Sequence, residues 1–434
     1  MVLPIDPPAT VGSPLSTTGP DEFTARGAHP THLLSGVYDA SMPIGARAEA
    51  PDAGPGSSSV GTRDRISEPA LSTTRHNRND RAPGETIKFS PIIQYLRAAA
   101  ALMVLLYHVL IHWLPQYHFH YEFLSGGVDI FFVISGFVMW GVTAGREGGS
   151  WSFFSRRLRR IVPLYTILTT VMLVIMLARP SVLLKSRFDV VHVVTSYLFI
   201  PWRHPVKGVF EPLLFQGWTL NYEMMFYAIF ALILFAPMRF RLPAVVGVLV
   251  GLVALGFIPH AGTSQFDFYT SPIILEFAMG VCLGAAVTAK RRAAAPIAAT
   301  ALIAGFGLFI GTALTGPLCD RVLTWGVPAA LLVSGCVFLE RETGPWLARL
   351  PLLLGDASYS IYLVQVITVS AAFQVWRKVH VLDNPAGMGA TMIVTALASV
   401  GVGVLVYWFV ERPIIRRFKV PTQSRRLVAD SSCS

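Results

Sequence analysis

Polar residues are sparse along most of this chain, and where they occur they fall in short clusters between long apolar runs. A helix needs roughly 20 apolar residues to cross a bilayer, and the runs after residue 88 repeatedly approach that length. The pattern predicts about ten spanning helices, over 91–113, 126–144, 161–177, 213–237, 243–259, 271–289, 295–314, 322–339, 354–376 and 387–410. The expected fold is therefore an all-α polytopic membrane protein. Residues 1–88 have a different texture, rich in Pro, Ser, Thr, Gly, Ala and Arg with no sustained apolar period. Such a segment cannot bury enough surface to offset its conformational entropy, so a disordered tail is expected there. A transmembrane domain over 89–412 and a basic tail over 413–434 complete the division.

Composition sharpens this reading. Apolar side chains make up 53% of the 434 residues and charged ones only 14%, a balance that a soluble multidomain protein rarely shows. The formal net charge of +10 does not point to nucleic acid, because the basic residues lie between apolar segments and not on one solvated face. Alternate connections carry Arg156, Arg157, Arg159 and Arg160, then Arg239 and Arg241, then Lys290, Arg291 and Arg292, then Arg341 and Arg349, then Arg412, Arg416, Arg417 and Lys419. The opposite connections, 114–125 and 260–270, contain no Lys or Arg. By the positive-inside rule both termini are expected in the cytoplasm of a multi-pass inner or plasma membrane protein. The stretch between Arg179 and Pro212 also carries basic residues, and is expected to be a partly ordered external loop or re-entrant cap. The four cysteines show no CxxC or metal-finger spacing.

Polar groups at membrane depth are costly, on the order of 3 kcal/mol or more for an isolated charge, so those that persist normally face a protein interior or a wet cavity. This filter selects Arg97 and His108 in the first helix, Asp129 in the second, Glu223 in the fourth and Glu276 in the sixth. Eleven positions separate Arg97 from His108, which is three turns plus roughly 20°, so the two share a helix face about 16 Å apart. His112 lies one turn beyond His108, a spacing open to metal binding, but an interfacial cluster of His and Tyr explains it as well and no metal is expected. Asp129 sits in GGVDIFFVISGF, whose small residues admit either a close helix neighbour or a ligand. In RRLRR, Arg157 and Arg160 share a face at i, i+3 spacing and form a clamp suited to phosphate oxygens, although anchoring at a membrane surface uses the same residues.

Taken in order, QYLRAAAALMVLLYH, GVDIFFVISGF, RRLRRIVPLY, GWTLNYEMMFY, LEFAMG, GDASYSIYLVQ and the closing ERP at Glu411 resemble the acyltransferase-3 family of membrane acyltransferases, in particular its exopolysaccharide O-acetyltransferase branch. The resemblance covers nearly everything after Ile92. It implies transfer of an acetyl or other short acyl group from acyl-CoA, usually acetyl-CoA, to a hydroxyl of an extracytoplasmic or lipid-linked glycan. It also implies essential roles for Arg97 and His108 and donor handling by Arg157 and Arg160. One position departs from the family pattern: Gln365 stands where histidine is frequent, so a role for that histidine is absent or carried by an amide.

Acyl transfer to a hydroxyl needs a base, a partner for the developing oxyanion and a grip on the coenzyme. His108 is the expected base or transient acyl acceptor, with Glu223 or Asp129 as candidate orienting groups and Arg97, Arg157 and Arg160 on the coenzyme. Trp218, Tyr222 and Tyr227 around Glu223 offer flat faces for a sugar or for pantetheine, or else form an interfacial aromatic belt. The partners implied are acyl-CoA, a carbohydrate acceptor, the bilayer and polysaccharide-assembly proteins. The rival reading is a secondary transporter or flippase, which would show inverted repeats; no similarity between the halves is apparent.

Overall fold

The computed structural model describes residues 90–114, 121–144, 149–178, 188–259, 265–317, 319–343 and 348–418. The expected tail over 1–88 and most of the basic tail over 413–434 lie outside these residues.

The described residues are helical, with one isolated bridge between Arg203 and Phe210 and no strand. In chain order the helices are α1 (Pro91–Trp113), α2 (Gly127–Thr143), α3 (Ser150–Ala178), α4 (Val190–Tyr197), α5 (Gly217–Ile233), α6 (Met238–Gly256), α7 (Leu275–Thr288), α8 (Ala295–Thr315), α9 (Val327–Thr343), α10 (Arg349–Asp356), α11 (Ser358–Lys378), α12 (Pro385–Val406) and α13 (Arg412–Arg417). Nine helical stretches among the described residues are long and apolar enough to cross a membrane. The remaining expected span, 213–237, corresponds to α5, a helix of 17 residues. The protein is thus an all-α polytopic membrane protein, as the hydropathy pattern predicts.

Helix starts follow local chemistry. Pro91 occupies the first turn of α1, where a missing N–H costs nothing. One backbone donor there is met from across the bundle: Glu340 of α9 accepts from the Ser90 hydroxyl and, at 2.9 Å, from the Ile92 amide. Asn384 caps α12 by accepting from Gly387 at 2.6 Å. The RRLRR run is itself helical, so α3 begins well before the expected 161 and carries its arginines as the first turns of a spanning helix.

In lipid there is little hydrophobic drive between helices, so small residues that admit close contact decide which helices pair. The tightest case joins α2 to α7. A Cβ on Gly136 would lie 2.1 Å from the Phe277 carbonyl oxygen, and one on Gly280 would lie 2.0 Å from that of Val133. A side chain at either position would push the two backbones apart. The result is that α2, with the 3-10 turn before it, is enclosed, 72% of its apolar stretch being buried, whereas those of α6, α8 and α12 are 17% buried and face outward. One face of α2 lines a cavity inside the bundle.

The segment after residue 188 is folded. Tyr165 donates to the Ser196 carbonyl at 3.0 Å and its ring packs on Phe199. His192 Nε2 donates to Glu211 O at 2.8 Å, and Lys207 pairs with Glu211 at 2.6 Å. His204 Nδ1 accepts from the amides of Val206 and Lys207 at 3.2 and 3.3 Å. Burial, with Lys207 and His192 close by, lowers the His204 pKa to about 4.

Candidate functional site

A cavity of about 280 Å³ lies among α1, α2, α3, α5 and α11. Its polar lining comes from helical spacing. Arg157 and Arg160 turn into it, while Arg156 and Arg159 of the same run are exposed, so the four-arginine cluster divides into an inner and an outer pair. Thr219, Glu223 and Tyr227, at i, i+4 and i+8 of α5, form a second stripe. Arg97 enters from α1, where its Nη1 donates to Gln94 Oε1 at 3.1 Å. Glu223 Oε1 accepts from Ser135 at 2.6 Å, tying α5 to α2. Tyr359 donates to the Ile161 carbonyl at 2.7 Å, and the Thr219 and Tyr362 hydroxyls are hydrogen-bonded at 2.9 Å. Apart from Ser90 the remaining wall is apolar, including Val128, Phe131, Phe132 and Ile134.

The charge in this chamber is unbalanced. Three guanidinium groups face one lining carboxylate, Glu223. Glu411, buried beside the chamber and accepting from Ser360 at 2.5 Å, lies near Arg160 and Arg97 and supplies a second, and the exposed Asp356 acts on Arg97 from outside the lining. A positive excess in a low-dielectric pocket favours an anion.

Asp129 belongs to another cluster. Arg321, at the start of the π-helical turn before α9, donates to Asp129 Oδ2 at 2.6 Å. The Glu276 carboxyl adjoins Asp129, and both residues are fully buried. Among the described residues no donor reaches Asp129 Oδ1 or either Glu276 oxygen. Trp325 and Trp218 flank the guanidinium at 4.9 and 6.0 Å. Tyr222, one turn from Trp218, stacks on Phe268 with ring centroids 4.0 Å apart. The three aromatics expected around Glu223 are therefore split: Tyr227 joins it in the cavity, while Trp218 and Tyr222 occupy the adjacent face of α5 toward Arg321.

His108 sits three turns along α1 from Arg97, buried, with its ring edge-on to Tyr107 and Phe215. Its Nδ1 lies 2.7 Å from the Val104 carbonyl. A carbonyl only accepts, so Nδ1 carries the hydrogen and Nε2 of the neutral ring keeps its lone pair. The ring is oriented by its own helix, while Glu223 and Asp129 bond to Ser135 and Arg321. His108 does not line the chamber that holds Arg97.

The acyltransferase domain of the acyltransferase-3 family matches residues 91–410. The chain belongs to this family. It is 38% identical to the exopolysaccharide production protein ExoZ of Rhizobium meliloti, over 69% of this chain and 92% of that protein. It is 25% identical to the peptidoglycan O-acetyltransferase OatA of Listeria monocytogenes and 28% identical to the putative peptidoglycan O-acetyltransferase YrhL of Bacillus subtilis, over 79% and 75% of this chain. Of those two relatives' own lengths the match spans 57% and 55%. No solved structure matches.

Arg321 went unrecognised in sequence. It lies beside Asp320 at a helix boundary, where a charged pair is ordinary, and only the fold brings it to Asp129, 192 positions away. Ser135 is legible in sequence only as one of the small residues of GGVDIFFVISGF; its bond to Glu223, 88 positions away, depends on the fold.

Proposed function

We propose that this acyltransferase moves an acetyl or other short acyl group from acyl-CoA to a hydroxyl of an extracytoplasmic or lipid-linked glycan. The observation that carries the reading is the chamber with three inward arginines and a deficit of acid. Coenzyme A is the acyl carrier whose phosphates suit such a site, and guanidinium binds phosphate oxygens in pairs. The names of the relatives, an exopolysaccharide production protein and peptidoglycan O-acetyltransferases, support a glycan acceptor.

In this reading both termini are cytoplasmic and the Arg157–Arg160 end of the chamber faces the cytoplasm, as the distribution of basic loops favours. Arg157 and Arg160 hold the nucleotide phosphates and Arg97 the next part of the donor. The pantetheine arm covers the rise of about 16 Å along α1 to His108. Nε2 of His108 takes the proton of the acceptor hydroxyl. Trp218 and Tyr222, with Asp129 and Arg321 beside them, offer the acceptor sugar apolar faces and polar partners, and Tyr227 with Glu223 completes the donor chamber.

The test uses the full chain in sealed vesicles, with radiolabelled acetyl-CoA on one side and glycan on the other. Label covalently on the glycan, abolished by His108→Ala at unchanged membrane expression, is the expected result. Glycan crossing the membrane without acetylation would overturn the reading in favour of a flippase.

A further inference from the structure

Among the described residues, the buried side-chain amides of Gln216 and Gln365 have no hydrogen-bond partner on either atom. Gln216 is 1% exposed and Gln365 is 0% exposed, and in each both the amide oxygen and the amide nitrogen lack a hydrogen bond. Buried amides are almost always paired, because an unmade hydrogen bond inside a protein is a direct penalty, and two such side chains in one region call for a binding partner.

Their positions converge. Gln216 precedes α5 with helical backbone angles, φ −59° and ψ −15°, so it continues the stripe that carries Leu220, Glu223 and Tyr227 at i+4, i+7 and i+11. It is the outward extension of the cavity wall. Gln365 lies one turn beyond Tyr362 on α11. That helix runs alongside α1: Ile361 packs with Ala101, Val369 with Leu105 and Val109, and Phe373 against His112 and Trp113. Gln365 is therefore level with the turn of α1 just below His108. Phe215, next to Gln216, meets the His108 ring with centroids 5.9 Å apart. Between this level and the chamber lies the bond joining Thr219 to Tyr362, and Thr219 also donates to the Gln216 carbonyl at 3.0 Å.

We infer that the side-chain amides of Gln216 and Gln365 form, with His108, the acyl-transfer site, their N–H groups holding the oxygen of the acyl carbonyl. The inference rests on the acyl-thioester reading above. The acceptor hydroxyl oxygen bonds to the acyl carbon and its proton passes to His108 Nε2. The carbonyl π pair moves onto the oxygen, where the amide donors stabilise it. Collapse restores the carbonyl and breaks the carbon–sulfur bond; sulfur takes that electron pair and the proton from His108, leaving as the thiol.

The experiment compares Gln216→Leu, Gln365→Leu and the less disruptive Gln216→Met and Gln365→Met with the unaltered full-length protein in vesicles, reading kcat, KM for the acyl donor and thermal melting. A lost oxyanion donor costs roughly 10²–10³-fold in kcat. That fall is expected at each position, with donor KM unchanged and melting unchanged or raised, since an orphaned amide is being removed. A kcat within threefold of the unaltered protein, a change confined to KM, or failure of both Leu and Met variants to fold overturns the assignment. Unaltered protein that transfers no acyl group removes the acyltransfer reading and this one with it; transfer unaffected by the glutamine changes removes this one alone.

Discussion

Replacing Arg321 with methionine isolates the energetic logic of the buried carboxyl cluster. Arg321 is the hydrogen-bond donor to Asp129 at 2.6 Å, and Asp129 is 0% exposed with its second oxygen already unpaired. Removing one member of a buried pair leaves an uncompensated charge and costs about 3–5 kcal/mol, whereas replacing both members with neutral groups is often close to neutral. The Arg321 side chain is 30% exposed, so water screens part of the interaction and the lower end of that range applies. The expected loss for Arg321→Met is therefore about 3 kcal/mol, and Asp129→Asn combined with Arg321→Met should recover most of it. Equilibrium or thermal unfolding of detergent-solubilised protein, arranged as a double-mutant cycle, reads the coupling. If Arg321→Met is as stable as the unaltered protein, or if the double variant is no better than the single, Asp129 does not depend on Arg321 and the cluster is held by other forces.

Three further outcomes follow from the same structure. Gly136→Ala should destabilise the α2–α7 contact by about 1–3 kcal/mol, because the new Cβ meets the Phe277 backbone; a melting temperature unchanged in detergent would contradict that packing. Alanine at the inward Arg157 or Arg160 should raise KM for the acyl donor roughly tenfold or more, while alanine at the exposed Arg156 or Arg159 should leave it within about twofold; equal effects at all four would mean that the run acts only as a surface anchor. For His204 the folded pKa, about 4, lies below the usual 6.5, so the unfolded segment binds more protons in between. Stability of the 188–216 segment should hold above about pH 6.5 and fall as pH drops toward 4, since a proton on Nδ1 displaces the two amides it accepts from; limited proteolysis across that range, flat in His204→Asn, is the check.

The fold was legible because lipid imposes one rule, that spanning segments are apolar and helical, and that rule is written directly in composition. The start of α3 was misplaced by that very rule: RRLRR reads as a loop by hydropathy, yet Arg157 and Arg160 turn into a protein cavity where lipid is not the solvent. The polar interior was half legible. A charge at membrane depth identifies itself, so Arg97, Asp129, Glu223 and Glu276 stood out. Their grouping did not, because the pairing of Glu223 with Ser135 and of Asp129 with Arg321 depends on helix neighbours that residue spacing within one helix cannot reveal.

The division between the two polar regions carries its own physical argument. In the proposed reaction a coenzyme enters from one side of the membrane and an acceptor from the other, which needs polar groups at both depths, yet a continuous hydrated path between them would conduct protons and small ions. Here the arginine chamber and the His108 level are separated by the Thr219–Tyr362 hydrogen bond, with Phe131 and Val128 among the apolar residues lining the chamber. Such a bond contributes only about 1 kcal/mol net, so a bound acyl chain that fills the gap and excludes water displaces it at small cost. Tyr362→Phe removes the seal's polar half while keeping its bulk. Passive proton leak through vesicles bearing the unliganded variant should rise above that of the unaltered protein, and leak equal in the two would assign the barrier to the apolar packing alone.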